Sequence, residues 1–147
     1  MNSNKGGKDM ASEEIKADVL LVDDEENFLK ALSQRLEIRG LKVDAVTSGE
    51  AGLEKVKAKN YNIVILDLDM PDMGGIEVLK NIKKNYPDLP VIILTGQGTT
   101  EKAIEAMKAG AMDYMEKPAD IETLVQEIME ARHKRLLLLT ERARELI

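Results

Sequence analysis

Short apolar runs alternate with stretches of helical periodicity along this chain. The runs at 18–22, 63–66 and 91–94 have the length and aliphatic content of buried strands, residues 41–46 alternate as a half-covered strand, and residues 111–116 form the last predicted strand. Apolar side chains recur every three or four residues in the intervening segments and after the last run. The alternation predicts five strand–helix units, and therefore a doubly wound α/β fold with a five-stranded parallel sheet.

The helical periodicity also predicts which side chains face the interior. In the fourth helix, predicted over 99–109, it turns Ala103, Ile104 and Met107 inward. The last helix begins near Asp120, a residue type favoured as an N-cap. The inward face of the first helix consists of Phe28, Leu29, Leu32, Leu36 and the candidate Ile38, and that of the last helix of Ile121, Leu124, Val125, Ile128 and Met129.

The apolar spacing continues beyond the last predicted core positions, so the C-terminal helix is expected to be extended. The run Leu136–Leu139 would form an exposed apolar patch, which leads us to expect a partner. Residues 133–147 therefore fit a dimerising or partner-docking helix, a linker to an output domain, or one long frayed helix. Seven positions follow a four-three spacing typical of a coiled-coil seam, interrupted by an arginine: Val125, Met129, Arg132, Leu136, Leu139, Ala143 and Leu146.

Composition narrows the class of protein. The 147 residues are enough for one domain with its own core, and 44% hydrophobic and 33% charged residues fit a globular chain. The net charge of −6 disfavours unspecific attraction to nucleic acids or anionic membranes. The lack of cysteine excludes disulfides, thiolate catalysis and cysteine-bound zinc, and the single histidine, His133, leaves no His-rich metal site and no Ser-His-Asp triad.

The chain divides into three predicted parts. Residues 1–16 are polar and are expected to form a flexible N-terminal arm, 17–132 the globular domain and 133–147 a helical C-terminal extension. No apolar run approaches the roughly 18 residues needed to cross a bilayer, and the N-terminus has no apolar run of signal-peptide type. The sequence therefore predicts a cytoplasmic protein.

Polar residues follow the predicted strands at the point where each strand ends. Asp23 and Asp24 follow the first strand, Asp67 the third and Lys117 the last, while Thr95 ends the fourth. The carboxyl ends of parallel strands lie side by side, so these residues are expected to converge on one crevice. Three carboxylates, a hydroxyl and an ammonium group indicate a site for a divalent cation and a phosphoryl group, and phosphoryl transfer to an aspartate.

Most of these residues also have simpler interpretations. Asp23 and Asp24 fit an acidic pair at a helix N-terminus, Thr95 fits a β-branched strand residue, and Lys117 fits a solvated surface lysine. Asp67 is harder to explain in this way, because an ionised carboxylate directly after four aliphatic residues is costly without a cation or hydrogen-bond donors. The complete set, in this order, indicates chemistry more strongly than any single member.

At the level of motifs, the chain resembles the receiver domain of bacterial two-component response regulators. The resemblance spans roughly Ala17 to Arg132 and implies a flavodoxin-like, chemotaxis-regulator-like arrangement of the sheet. The matching segments are Val19–Glu25, Ile65–Gly75, Ile93–Gly96, Gly110–Tyr114 and Glu116–Pro118.

The resemblance implies a phosphoacceptor and a magnesium site. Asp67 would attack the phosphorus of a phosphohistidine on a kinase. Asp24 and Asp67 would bind Mg²⁺ directly, Asp23 would assist through water, and the backbone carbonyl of Asp69 would complete the protein ligands. Positioning and neutralisation of charge would account for most of the catalysis.

It also implies a conformational switch. Lys117 would pair with Asp67 before transfer and with phosphoryl oxygens afterwards. Thr95 would turn towards the phosphoryl group, and Tyr114 would swing inward as Thr95 moves. The protein would signal through changed protein contacts and would catalyse only its own phosphorylation and dephosphorylation.

The expected partners follow from this role. They are a sensor histidine kinase or a phosphotransfer protein, and either a downstream protein target or a missing output domain, since no output domain is recognised within these residues. A homodimer through the C-terminal helix is a further expectation. Direct nucleic-acid binding and membrane insertion are not expected.

The chain departs from the family pattern at a few positions, and two other functions fit parts of its sequence. Gly96 stands where the family often has alanine and would leave room beside the phosphoryl group, and Gly74 stands where an acidic or polar residue often precedes the family glycine, Gly75. Asp69 and Gln97 occupy positions that in this family influence phosphoryl lifetime. One alternative is a phosphorylation-independent interaction module. Another is an aspartate-nucleophile phosphatase of the haloacid-dehalogenase type, which the Asp67-Leu68-Asp69 pattern resembles, but such a pair normally lies on the first strand.

Overall fold

Five parallel strands form the centre of the structure, a computed structural model that describes residues 17–146. The predicted N-terminal arm, residues 1–16, lies outside the described residues. The strands are β1 (Asp18–Val22), β2 (Lys42–Val46), β3 (Ile63–Leu66), β4 (Val91–Thr95) and β5 (Asp113–Glu116). The helices are α1 (Glu26–Ile38), α2 (Gly49–Ala58), α3 (Gly75–Asn85), α4 (Thr100–Lys108) and α5 (Ile121–Glu145).

The strand order is β2-β1-β3-β4-β5, which confirms the predicted doubly wound sheet. The chain leaves β1 for β2 on one side and returns for β3 on the other, so the order reverses between β1 and β3. Ligands of open α/β sheets bind at the carboxyl ends of strands beside such a reversal. Val22 and Leu66, the last residues of β1 and β3, are in register there.

Two apolar cores cover the two faces of the sheet, because side chains alternate between faces along each strand. Along β1, Leu20 and Val22 contribute to one core, while Val19 and Leu21 contribute to the other. Buried residues of α2, α3 and α4 pack on the first face, and those of α1 and α5 pack on the second. The central strands β3 and β4 are buried along their whole length, as the continuous apolar runs predicted.

The predicted inward face of α4 is wrong. Ala106 is the buried residue of this helix, whereas Ile104 is 51% and Met107 47% exposed and Ala103 is half-buried. The helix has nine residues and a mixed apolar pattern, so the spacing indicates a helix without fixing which side faces the sheet. The candidate Ile38, at the end of α1, is also exposed.

The extended C-terminal helix is confirmed. Asp120 accepts a hydrogen bond from the backbone amide of Thr123 at 3.0 Å and so caps α5 as predicted. Ala131 is the last buried residue of the helix, and the four leucines that follow, Leu136–Leu139, are 40–52% exposed. Within residues 17–146, no helix has the length and apolar character that a membrane span requires.

Candidate functional site

The reversal of strand order brings the first set of predicted residues together. Asp23 and Asp67 directly follow the paired ends of β1 and β3, and the backbone amide of Asp67 donates to the carbonyl of Val22 at 2.9 Å. Asp23, Asp24 and Asp67 each present a carboxylate oxygen, and these oxygens lie within 4.8 Å of one another. Asp23 and Asp67 are buried, whereas Asp24 is exposed.

Lys117 lies at the same edge of the sheet but contacts Asp23 and not the predicted partner Asp67. Its Nζ is 2.6 Å from Oδ2 of Asp23 and 3.4 Å from a carboxylate oxygen of Glu25, and it lies 4.2 Å from the centre of the Phe28 ring. The backbone amide of Glu25 donates to Oδ1 of Asp23 at 2.9 Å. That bond turns Oδ2 towards the lysine, which explains the difference from the sequence prediction.

Thr95 contacts a different carboxylate in this structure. Its hydroxyl donates to Oδ2 of Asp69 at 3.3 Å, and Nζ of Lys102 lies 3.0 Å from Oδ1 of the same residue. Neither Lys102 nor the contact of Glu25 with Lys117 is predicted by the sequence pattern. Glu25 lies inside a recognised motif, whereas Lys102 is one of several charged residues in α4 and has no distinguishing sequence signal.

Burial and mutual repulsion dominate the electrostatics of the acidic groups. Burial raises the pKa of Asp67, and the nearby charge of Asp23 raises it further, against the attraction of Lys117. Burial likewise raises the pKa of Asp23, although its hydrogen bond with Lys117 acts in the opposite direction. Burial alone would lower the pKa of Lys117, but its hydrogen bond and ion pair with Asp23 leave the pKa above its usual value.

One oxygen of Asp67 has no protein partner. Oδ1 of Asp67 is buried and makes no hydrogen bond to any residue that the structure describes. A buried carboxylate oxygen without a donor is costly, so a cation or a transferred group at this position would stabilise it. The donor set of three carboxylates suits a hard cation such as Mg²⁺, which prefers oxygen ligands.

An open pocket of about 220 Å³ lies in front of these residues. An added Cβ at Gly96 would meet no atom closer than Cδ of Lys117, at 3.9 Å, so this side of the pocket has the predicted room. Gly75 has no such freedom, because a Cβ there would lie 2.4 Å from the Cα of Leu68. The pocket is lined by Asp24, Glu25, Asp67, Asp69, Gly96 and Gln97.

Tyr114, the predicted switch residue, lies on β5 with its hydroxyl against Gly98. A Cβ at Gly98 would lie 2.7 Å from the hydroxyl oxygen, so glycine makes room for the ring. The hydroxyl is buried without a hydrogen-bond partner in the described part of the chain, and burial raises its pKa. In the sheet register Thr95 of β4 pairs with Glu116 of β5. The two switch candidates, Thr95 and Tyr114, therefore lie on neighbouring strands.

Comparison with known proteins gives one consistent result. The family model for the response regulator receiver domain matches residues 19–129. The transcriptional regulatory protein ZraR of Klebsiella oxytoca is 39% identical over 128 residues, which are 86% of this chain and 28% of that protein. The chain thus spans less than a third of the length of this curated relative.

Solved structures agree with the sequence relatives. A response regulator receiver domain protein from Clostridium thermocellum is 38% identical with a TM-score of 0.78, and the match covers 83% of this chain and 98% of that one. The beryllofluoride-activated NtrC4 receiver domain, described as a dimer, is 36% identical with a TM-score of 0.75, and the match covers 80% of this chain and 98% of that one.

Proposed function

The chain belongs to the response regulator receiver domain family, and from this membership we propose that it is activated when Asp67 accepts a phosphoryl group from a histidine kinase. One observation carries the choice of Asp67. Its Oδ1 is buried and unpaired within the described residues, and the residue lines an open pocket that a phosphorylated side chain can enter. Asp24 lines the same pocket but is exposed, so its carboxylate is free to be hydrated.

The transfer is a displacement at phosphorus. A carboxylate oxygen of Asp67 forms the new O–P bond while the P–N bond to the donor histidine breaks, and the electron pair of that bond returns to the imidazole. The imidazole then takes a proton from solvent. Most of the catalysis lies in positioning and in offsetting negative charge, and Lys117 is the cation that the site already holds beside its carboxylates.

Mg²⁺ is the proposed cofactor. Asp24 and Asp67 would hold the cation directly, Asp23 through water, and the carbonyl of Asp69 would complete the protein ligands. When bound, the cation neutralises part of the charge that the phosphoryl group and the carboxylates share. The clustered oxygens of the three aspartates and the orphaned oxygen of Asp67 support this assignment.

The proposed switch uses the contacts of Thr95 and Tyr114. A phosphoryl group on Asp67 offers new acceptor oxygens, towards which the Thr95 hydroxyl turns from Asp69, and Lys117 shifts from Asp23 to the same oxygens. Movement of Thr95 changes the space that Tyr114 occupies beside Gly98. The exposed side chains of Ile104 and Met107 on α4 lie on the face that would then change its contacts.

Partners and organisation follow from the same proposal. The donor is a sensor histidine kinase or a phosphotransfer protein in the cytoplasm, and the output is a protein target or a domain joined to the chain. Residues 17–132 act as the receiver and 133–147 as a linker or dimerising helix. The exposed run Leu136–Leu139 and the dimer described for the related NtrC4 receiver support a homodimer. We do not propose nucleic-acid binding by these residues.

Intact-mass spectrometry after incubation with acetyl phosphate and Mg²⁺ tests the proposal. We expect one added phosphoryl group, which disappears with a chelator and in Asp67→Asn. Asp72→Asn is the matched control, because Asp72 is in the loop after β3 but accepts from the amides of Gly49 and Glu50 at 3.3 Å. No adduct on folded protein, from acetyl phosphate or from a phosphorylated kinase, would favour an interaction module independent of phosphorylation. Continuous phosphate release without an adduct would favour a phosphatase.

A further inference from the structure

A chain of three polar side chains joins β4, the loop after β3 and α4 at the edge of the pocket. Thr95 donates its hydroxyl to one oxygen of Asp69 at 3.3 Å, and Lys102 binds the other oxygen at 3.0 Å. Thr95 is fully buried, whereas the side chains of Lys102 and Asp69 are 41% and 46% exposed. Asp69 is therefore held from two sides while it lines the same pocket as Asp67.

The negative charge of Asp69 makes this contact relevant to phosphorylation. The pocket is already lined by the carboxylates of Asp24, Glu25 and Asp67, and Lys117 is engaged with Asp23 and Glu25. Among the described residues, Lys102 is the cation in ion-pair contact with Asp69. A phosphoryl group brings further negative charge, so a loose carboxylate at the rim would oppose its arrival.

We propose that Lys102 is a positioning residue for the phosphorylation site, because it holds the Asp69 carboxylate on the α4 side of the pocket and away from the phosphoryl group. This inference rests on the proposed function of Asp67. Lys102 lies in the first turn of α4, so the same contact ties the start of that helix to the loop that follows the phosphoacceptor strand.

Release of Asp69 would have two effects on the reaction. Its carboxylate would repel the incoming phosphoryl donor, and it would accept a hydrogen bond from a water that attacks the aspartyl phosphate. In that hydrolysis the water oxygen bonds to phosphorus while the bond between phosphorus and the Asp67 oxygen breaks, and its electron pair remains on the Asp67 carboxylate. One proton of the water passes through Asp69 to solvent, and inorganic phosphate leaves. Both effects lower the steady-state level of phosphorylated protein.

Kinetics of the full chain with acetyl phosphate and Mg²⁺ test the proposal. In Lys102→Gln we expect slower phosphorylation and faster loss of the phosphoryl group, each by roughly threefold to fivefold, as for loss of a partly exposed charged contact. Lys102→Arg should restore rates close to those of the unmodified sequence. Lys108→Gln is the matched control, since it removes the same charge from the exposed C-terminal turn of α4 and should change neither rate.

A double substitution separates positioning of Asp69 from a direct effect of Lys102. In an Asp69→Asn background the side chain at position 69 has no charge for Lys102 to hold, so adding Lys102→Gln should change the rates by less than about twofold.

A second readout needs neither metal nor phosphodonor. The side-chain carboxyl carbon of Asp69, followed by NMR, should shift in Lys102→Gln and not in Lys108→Gln.

Three results would overturn the proposal. Equal rates in Lys102→Gln and Lys108→Gln would show that Lys102 acts only through its contribution to the surface charge. An undiminished effect of Lys102→Gln in the Asp69→Asn background would show that the lysine acts without Asp69. If the unmodified chain gains no phosphoryl group while its Asp69 carbon still responds to Lys102→Gln, the proposed function fails and the catalytic part of this inference fails with it.

Discussion

The ammonium group of Lys117 lies 2.6 Å from a carboxylate oxygen of Asp23, and both side chains are almost completely buried, with 10% and 4% of their surfaces exposed. The pair joins the end of β5 to the end of β1 across the site. Asp67, which lies between these ends in the sheet order, keeps one buried oxygen without a partner in the described structure. Lys117 thus pairs with Asp23 and Glu25, and one oxygen of Asp67 is left available for chemistry.

Removal of the lysine charge should destabilise the metal-free protein. In Lys117→Met, Asp23 would be left buried without its cation, and we expect the free energy of unfolding to fall by about 2–3 kcal/mol. Urea titration in the presence of a chelator measures it. Asp23→Asn added to Lys117→Met should recover part of the loss. Lys59→Met, which breaks the more exposed pairs with Asp18 and Asp44, should cost much less; an equal cost would contradict this reading.

Substitution of the proposed phosphoacceptor Asp67 should instead raise the free energy of unfolding. Burial raises the pKa of Asp67, so stability that is present below the unfolded pKa is lost as the pH rises through the folded value. At neutral pH and with a chelator present, the free energy of unfolding of Asp67→Asn should therefore be about 1 kcal/mol higher than that of the parent. The gain should shrink as the pH falls below about 4, where the carboxyl of the parent becomes protonated in the unfolded state as well. Added Mg²⁺ should also reduce it. A variant less stable than its parent at neutral pH would be inconsistent with a strained carboxylate.

The convergence of the site residues was predictable because it depends on topology alone. Asp23, Asp67 and Thr95 end or follow strands with continuous apolar runs, and Lys117 follows the less apolar strand at 111–116. The carboxyl ends of parallel strands must share one edge. The pairing of Lys117 was not predictable in the same way. It depends on the orientation of one Asp23 carboxylate, which the amide of Glu25 fixes at 2.9 Å.

The errors in α4 have a related origin. Periodicity fixes the presence of a helix, but its rotation depends on tertiary contacts when apolar residues occur on more than one side. Ala106 packs inward while Ile104 and Met107 face outward, so the short helix presents a small residue to the sheet and larger ones to solvent. The Lys102–Asp69 contact depends on that rotation and on a loop conformation, and neither has a sequence signal.

Gly75 should be far less tolerant of a side chain than its neighbour. A Cβ at Gly75 would lie 2.4 Å from Cα of Leu68 and 2.5 Å from the carbonyl oxygen of Asp67, whereas a Cβ at Gly74 meets nothing within 4 Å. Gly75→Ala should lower the free energy of unfolding by about 2–3 kcal/mol through the forced backbone shift. Gly74→Ala should be nearly neutral by the same urea titration. Similar effects of the two substitutions would refute the close approach.

Gly98 should control the position of the Tyr114 ring. A Cβ at residue 98 would lie 2.7 Å from the hydroxyl oxygen and 3.0 Å from Cε1 of Tyr114, so Gly98→Ala should displace the ring. NMR of the tyrosine ring protons should show shifted Tyr114 signals without phosphorylation. Gly96→Ala is the control, because its Cβ makes only an ordinary contact with Lys117 at 3.9 Å. Unchanged Tyr114 signals in Gly98→Ala would mean that the ring does not occupy this place in solution.

Glu127 of α5 and Asp113 at the start of β5 form a carboxyl pair that should make stability depend on pH. Burial raises the pKa of Glu127, and the hydrogen bond with Asp113 and the negative charge of that residue raise it further, to about 7. Glu130 makes a smaller contribution. The folded protein therefore keeps a proton that the unfolded chain releases near its ordinary pKa of about 4.3. Stability contributed by this proton is complete below the unfolded value and is lost as the pH rises through 7.

Glu127→Gln should remove that loss, because an amide donates a hydrogen bond to Asp113 at every pH. We expect the thermal midpoint of the unmodified chain to fall between pH 5 and 8 and that of Glu127→Gln to fall less, so the two curves should separate at the alkaline end. Glu130→Gln serves as the control, since Glu130 contributes only a minor repulsion. Parallel curves for the parent and Glu127→Gln would show that Glu127 and Asp113 do not share a proton, and a fall common to both curves would then come from other groups.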